Sequence, residues 1–191
     1  MKTKSIKNRY ILLRINILLT ILAKGKISLR KVFNVARSWL AHKLRSSRTS
    51  KYPFIINFEL WNECNAQCTF CRTLDGDIYD QNPRNSGDTP VSKGKMPLEL
   101  YKDVIDQSKE HLLIAVLYVN GEPLMYNGIY EAIRYASDRK VATVISTNGE
   151  LMNESNSKKL LESDLDFLKV AISGFSDETF LIQHRECHIE K

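Results

Sequence analysis

Aspartate and glutamate are absent from residues 1–52, which carry 14 Lys and Arg. All 22 acidic residues lie beyond that point, against 14 basic ones, so a formal charge of +6 hides a cationic arm joined to an acidic domain. Long apolar runs are also missing. The stretch from Ile11 to Leu22 is broken by Arg14 and Asn16 and is shorter than the about 20 residues a bilayer-spanning helix needs. No small-residue cleavage site follows the basic start, which argues against a secretory leader. Cysteine is scarce. Of four cysteines, three are clustered and Cys187 stands alone, which excludes a disulfide framework.

The clustered cysteines, Cys64, Cys68 and Cys71, form a C-x3-C-x2-C pattern just after an apolar run, Phe54 to Trp61. Three thiolates on one short loop can hold three irons of a [4Fe-4S] cube, leaving the fourth iron open to a small molecule, whereas most protein clusters are closed by a fourth cysteine. Three cysteines and a histidine would also make a structural zinc set. Zinc knuckles, however, pair C-x2-C units, and no second pair exists. His42, His111, His184 and His188 all lie far from the cluster in sequence.

Read with its flanks, Asn57-Phe-Glu-Leu-Trp-Asn-Glu-Cys64-Asn-Ala-Gln-Cys68-Thr-Phe-Cys71 resembles the cluster loop of the radical S-adenosylmethionine (radical SAM) enzymes. Phe70 fills the aromatic place before the third cysteine, and Asn65 fits the common Cys-Asn pattern. The resemblance implies that the open iron chelates S-adenosylmethionine. It also implies that an electron from the cluster cleaves the carbon–sulfur bond, and that the resulting 5′-deoxyadenosyl radical takes hydrogen from substrate. Further along, Asn120-Gly121-Glu122-Pro123 closes an apolar run, as the family's second strand does. Glu122, with Gly121 and backbone carbonyls, would accept from the cofactor's amino group, and Gly121 would let the backbone approach closely. Asn120 stands where many members have a further glycine. Thr147-Asn148-Gly149 and Ser173-Gly174-Phe175 resemble the ends of the third and fourth strands, with Thr147 and Ser173 assigned to the cofactor's ribose or carboxylate. The run Asp177 to Arg185 resembles the start of the next helix in members of the SPASM type, where Arg185 would meet the cofactor carboxylate. Taken as residue types alone, Gly-Glu-Pro and Asn-Gly are ordinary turn signals, and Arg185 is equally a solvated helix charge.

Periodicity predicts strands over 54–61, 112–119, 141–146 and 167–173, and helices over 98–110, 127–139 and 155–164. A last helix is expected near Asp177, with that side chain as its cap. Alternating strands and helices predict an α/β fold, a partial parallel (β/α) barrel of the radical SAM type with its first four strands. The motifs then all fall at the C-terminal ends of strands, where such barrels carry their sites. The family's fifth and sixth strands are not found, so a fragment is expected. The division is 1–52, a basic amphipathic helical arm, and 53–191, the N-terminal part of the core. Packing on the barrel is the first expectation for the arm, an anionic membrane surface the second, and nucleic acid the least fitting.

The resemblance implies a cytoplasmic oxidoreductase using a [4Fe-4S] cluster and S-adenosylmethionine, with flavodoxin or ferredoxin as reductant and a peptide as the favoured substrate. The competing expectation is a non-catalytic iron- or zinc-binding half-barrel tethered to a partner or membrane.

Overall fold

The computed structural model describes residues 15–68, 94–172, 174, 176–182 and 184–185; Phe70, Cys71, Ser173, Cys187 and most of the loop over 75–95 lie outside them. Along the chain run helices α1 (15–23 in its described part) and α2 (Leu29–Lys43), then strands β1 (Ile55–Asn57) and β2 (Gln67–Cys68). Next come α3 (Leu98–Ser108), β3 (Ile114–Val116), a 3-10 turn (Pro123–Met125), α4 (Ile129–Asp138) and β4 (Ala142–Thr147). Last are α5 (Glu154–Glu162), β5 (Phe167–Val170), α6 (Asp177–Leu181) and β6 (His184–Arg185).

The main sheet has the order β1-β3-β4-β5, with every pair parallel and helices α3, α4 and α5 in the connections, so the expected α/β architecture is present. β4 is a β-branched run whose Ala142, Thr143, Ile145 and Thr147 are all buried, as a strand covered on both faces should be. α4 buries Ile129, Ala132, Ile133 and Ala136 at helical spacing. α3 opens after Pro97, whose missing N–H is harmless there, and buries Tyr101 and Ile105. Tyr101 meets Phe58 edge-on at 4.8 Å and donates its hydroxyl to Ala132 O at 3.0 Å. Burial pushes that hydroxyl far above the ordinary phenol range. Asn153 caps α5 by accepting from Asn156 N at 2.8 Å.

The strands expected over 112–119 and 167–173 are shorter, Ile114–Val116 and Phe167–Val170, and two further elements differ from expectation. The first strand ends at Asn57, because the second half of its apolar run pairs elsewhere. Met96 N donates to Leu60 O at 3.0 Å, and Trp61 bridges to Lys95. The last helix is one short turn in which Ser176 Oγ accepts from Thr179 N at 3.4 Å, and the Asp177 side chain, expected as its cap, lies outside the described ones. Arg185 then lies on β6, not on a helix.

The arm packs against the N-terminal ends of the strands. Lys26 Nζ meets Asp166 Oδ2 at 2.8 Å, with side-chain exposures of 2% and 0%. Asp166 Oδ2 also accepts from Thr143 N at 2.7 Å, so the pair is tied into the start of β4. Lys24 Nζ joins from Asp164 at 2.8 Å. Asn34 Nδ2 donates to His111 O at 3.1 Å, Lys31 Nζ donates to Lys26 O and Lys140 O, and Arg30 pairs with Glu110 at 3.0 Å.

Removing one member of a buried pair leaves the other charge uncompensated. Asp166→Asn is therefore expected to lower unfolding free energy by about 3 kcal/mol in urea titrations, with part restored by adding Lys26→Met. An unchanged midpoint would show that the pair adds nothing. Lys31 gives a separate pH signature. Burial, reinforced by the Lys26 charge and opposed by Glu110, lowers its ammonium to about 8 from 10.5. Between those values the unfolded chain holds the proton and the folded chain does not, so stability rises with pH across the window. The slope of unfolding free energy from pH 8 to 10 should be more positive in the wild type than in Lys31→Met; equal slopes would contradict the assignment.

Candidate functional site at the C-terminal ends of the strands

Gly121 is where the end of β3 meets the approach to the cysteines. A Cβ built on it would stand 2.2 Å from Trp61 O and 2.8 Å from both Asn62 Cα and Glu63 O. Only glycine allows this backbone-on-backbone contact. The next residue closes it, since Glu122 N donates to Glu63 O at 2.9 Å. Asn120 adds a side-chain tie, with its N and Nδ2 donating to Glu59 Oε1 at 3.1 and 2.7 Å. The departure from the family's glycine at this place is thus occupied by a link to the residue two beyond β1.

Glu122 is 2% exposed. Its Oε1 accepts from Leu124 N at 3.1 Å and from Thr147 Oγ1 at 2.7 Å, and its Oε2 accepts from Asn148 N at 2.8 Å. Burial raises the carboxyl above its ordinary value, against the pull of the hydrogen bonds from Asn148, Thr147 and Leu124. These contacts join the ends of β3 and β4. Thr147 reaches Glu122 directly, so both residues belong to one cluster.

Asn148, which the sequence reading did not single out as a site residue, carries the cluster to the cysteines. Its Oδ1 accepts from Glu150 N at 3.0 Å, which orients the amide. Its Nδ2 then faces Asn65 Oδ1 at 2.9 Å and Cys64 Sγ at 3.7 Å. Ala66 N also donates to Cys64 Sγ at 3.4 Å. The Thr-Asn-Gly motif was the signal for this residue, but its side-chain direction is a tertiary fact. On the other side of the loop, β2 pairs antiparallel with β6, Gln67 opposite Arg185 and Cys68 opposite His184. Arg185 is therefore brought beside the cysteine loop through its backbone.

Asn120, Gly121, Glu122, Thr147, Cys64 and Cys68 thus gather at one end of the sheet, with Arg185 at its border. Phe70, Cys71 and Ser173 lie outside the described residues. Cys64 is half-buried and Cys68 is buried. Among the described residues no group of three His, Cys, Asp or Glu side chains could hold a metal ion. The donors that do converge are thiols with N–H groups aimed at Cys64 sulfur, which suit a thiolate-held cluster.

Gly121→Ala should push the 61–63 backbone away and loosen the cysteine loop. The expected result is faster reaction of Cys64 and Cys68 with a thiol reagent in the metal-free chain. Gly94→Ala, at a site with open space around it, should react at the wild-type rate. Equal rates in all three would show that the close approach does not hold the loop.

Comparison with known proteins bears on the family of the chain. Residues 58–191 match the family model of the Radical SAM superfamily. An S-adenosylmethionine-dependent nucleotide dehydratase from Lacinutrix mariniflava is 28% identical over 144 residues, covering 75% of this chain and 28% of that protein. An Fe-coproporphyrin III synthase from Methanosarcina barkeri is 28% identical over 137 residues, covering 72% of this chain and 31% of that protein. The chain therefore spans about a third of the length of these relatives or less. In fold, Streptococcus suis SuiB bound to S-adenosylmethionine superposes with a TM-score of 0.57 at 17% identity, over 75% of this chain and 30% of SuiB. Members of this family bind a [4Fe-4S] cluster and S-adenosylmethionine and use them for radical chemistry. On the match over residues 58–191, this chain belongs to the Radical SAM superfamily.

Proposed function

We propose that this chain is the cluster-bearing part of a radical SAM enzyme, in which Cys64, Cys68 and Cys71 hold a [4Fe-4S] cluster and an adjoining pocket takes S-adenosylmethionine. The observation that carries the reading is the meeting of the cysteine loop with Gly121-Glu122 and Thr147-Asn148 at the ends of neighbouring parallel strands. Bound there, the cluster would supply the electron that cleaves S-adenosylmethionine, and the adenosyl radical so made would take hydrogen from substrate.

The chain's own residues have separable roles in this reading. Asn148 and Ala66 donate toward Cys64 sulfur and favour its thiolate. An ionised carboxylate has about four acceptor sites, and Glu122 uses three of them on Leu124, Thr147 and Asn148. Its remaining acceptor, with nearby backbone carbonyls, would meet the cofactor's ammonium. Thr147 would act through Glu122, while Ser173, Phe70 and Arg185 are assigned to the cofactor by motif. The reductant would be a flavodoxin or ferredoxin. A peptide is the substrate we adopt, supported by the SPASM-like run ending at Arg185 and by the SuiB complex with its precursor peptide among the fold neighbours.

The test is electron paramagnetic resonance on the anaerobically reconstituted, reduced chain. A [4Fe-4S] signal that changes on adding S-adenosylmethionine is expected, with about four irons per chain and loss of the signal in Cys64→Ala, Cys68→Ala or Cys71→Ala. A chain that takes up zinc instead of iron, or a cluster that survives a cysteine substitution, would overturn the proposal.

A further inference from the structure

α2 is built inside out. The side it turns to the protein carries Lys31, Asn34 and Ala41, all buried. The opposite side carries Val32, Phe33, Trp39 and Leu40, all exposed, Phe33 by 69% and Trp39 by 60%. At about 100° per residue these form one stripe on the side opposite Lys31 and Asn34, with Trp39 at its edge beside Phe54 and Ile55. α1 does the same with Leu18 and Leu22. An apolar groove of 320 Å3, lined by Leu18 from one helix and Val32 and Trp39 from the other, joins the two stripes into a single surface.

The charge around that surface has one sign. Residues 1–52 contain no acidic side chain. Lys24, Lys26 and Arg30 pair with the core. Among the described residues, Arg37, Lys43, Arg45 and Arg48 pair with no carboxylate. No helix among the described residues is long and apolar enough to cross a membrane. An apolar stripe with a tryptophan, flanked by unpaired cations, fits a helix lying in the headgroup region of an anionic bilayer. A second copy of this face fits poorly, since it would bring two acid-free arms together.

We infer that the α1–α2 hairpin seats this protein on an anionic membrane surface, with the cysteine end of the sheet facing away from the lipid. The orientation follows from the contacts already described. The hairpin covers residues that precede β3, β4 and β5, whereas Cys64, Glu122 and Asn148 follow strands. The site thus lies at the end of the sheet away from the bilayer side.

The chain has two tryptophans, Trp39 on the exposed stripe and Trp61 beside the cysteine loop. Among the described residues Trp61 Nε1 has no hydrogen-bond partner, so Trp61→Phe removes no such contact there. The full chain carrying Trp61→Phe, and separately Trp39→Phe, is mixed with vesicles of phosphatidylcholine alone or with phosphatidylglycerol, including lipids brominated on their acyl chains. Flotation with the anionic vesicles only, weakening with salt, is expected, with bromine quenching of Trp39 but not of Trp61. Phe33→Ser with Leu40→Ser, both at exposed positions, should reduce partitioning at least about tenfold while leaving the far-ultraviolet circular dichroism unchanged. No flotation at low salt, or quenching of Trp61 equal to that of Trp39, would overturn the inference. So would self-association without lipid that the same double variant abolishes.

Discussion

A single buried carboxylate organises the C-terminal face of the sheet. Glu122 cannot sit at 2% exposure without donors around it, and those donors come from Leu124, Thr147 and Asn148. The ends of β3 and β4 are therefore fixed relative to each other by one side chain. The backbone of the same residue binds Glu63, one position before the first cysteine. The contact is possible only because Gly121 has no side chain to place between the two segments. The position of the cysteine loop thus depends on a glycine that permits the approach and a glutamate that makes it worth keeping.

The opposite end of the sheet poses a different problem. α3, α4 and α5 all end there, and helix C-termini present unsatisfied carbonyls and partial negative charge. Asp164 and Asp166 add full charges. The arm answers with donors and cations: Lys24, Lys26 and Lys31 with Asn34 meet carboxylates or carbonyls at this end. This is why α2 turns its polar side inward. The face it covers is rich in acceptors, so its apolar side is left outside.

The alternation of strands and helices was readable because α3, α4 and β4 keep clean periodicities and contiguous apolar runs. The cysteine spacing, Gly-Glu-Pro and Thr-Asn-Gly were readable as short motifs, and their order along the chain placed them on one face. Asn148 was not readable as a support of Cys64, because its direction is set by Glu150 and Asn65 in the folded chain. The end of β1 was missed because Leu60 and Trp61 pair with a segment more than thirty residues away. The arm's polarity was missed for a general reason. An apolar stripe is read as the core-facing side, and here Lys31 and Asn34 are buried while Phe33 and Trp39 are not.

Burial across the sheet falls off toward both edges, β1 and β5. In β5, Leu168 and Val170 are each 42% exposed, whereas β4 beside it is covered on both faces. β1, at the other edge, is no better covered, with Ile55 43% exposed. Relatives named for a nucleotide and for a porphyrin share this stretch at 28% identity, over about a third of their own length or less. A segment shared by proteins with such different names fits what their superfamily has in common, a [4Fe-4S] cluster and S-adenosylmethionine. It cannot carry what separates them. In this chain the loop is held on one side by the ends of β3 and β4, through Glu122 and Asn148, and on the other by β6, which follows β5.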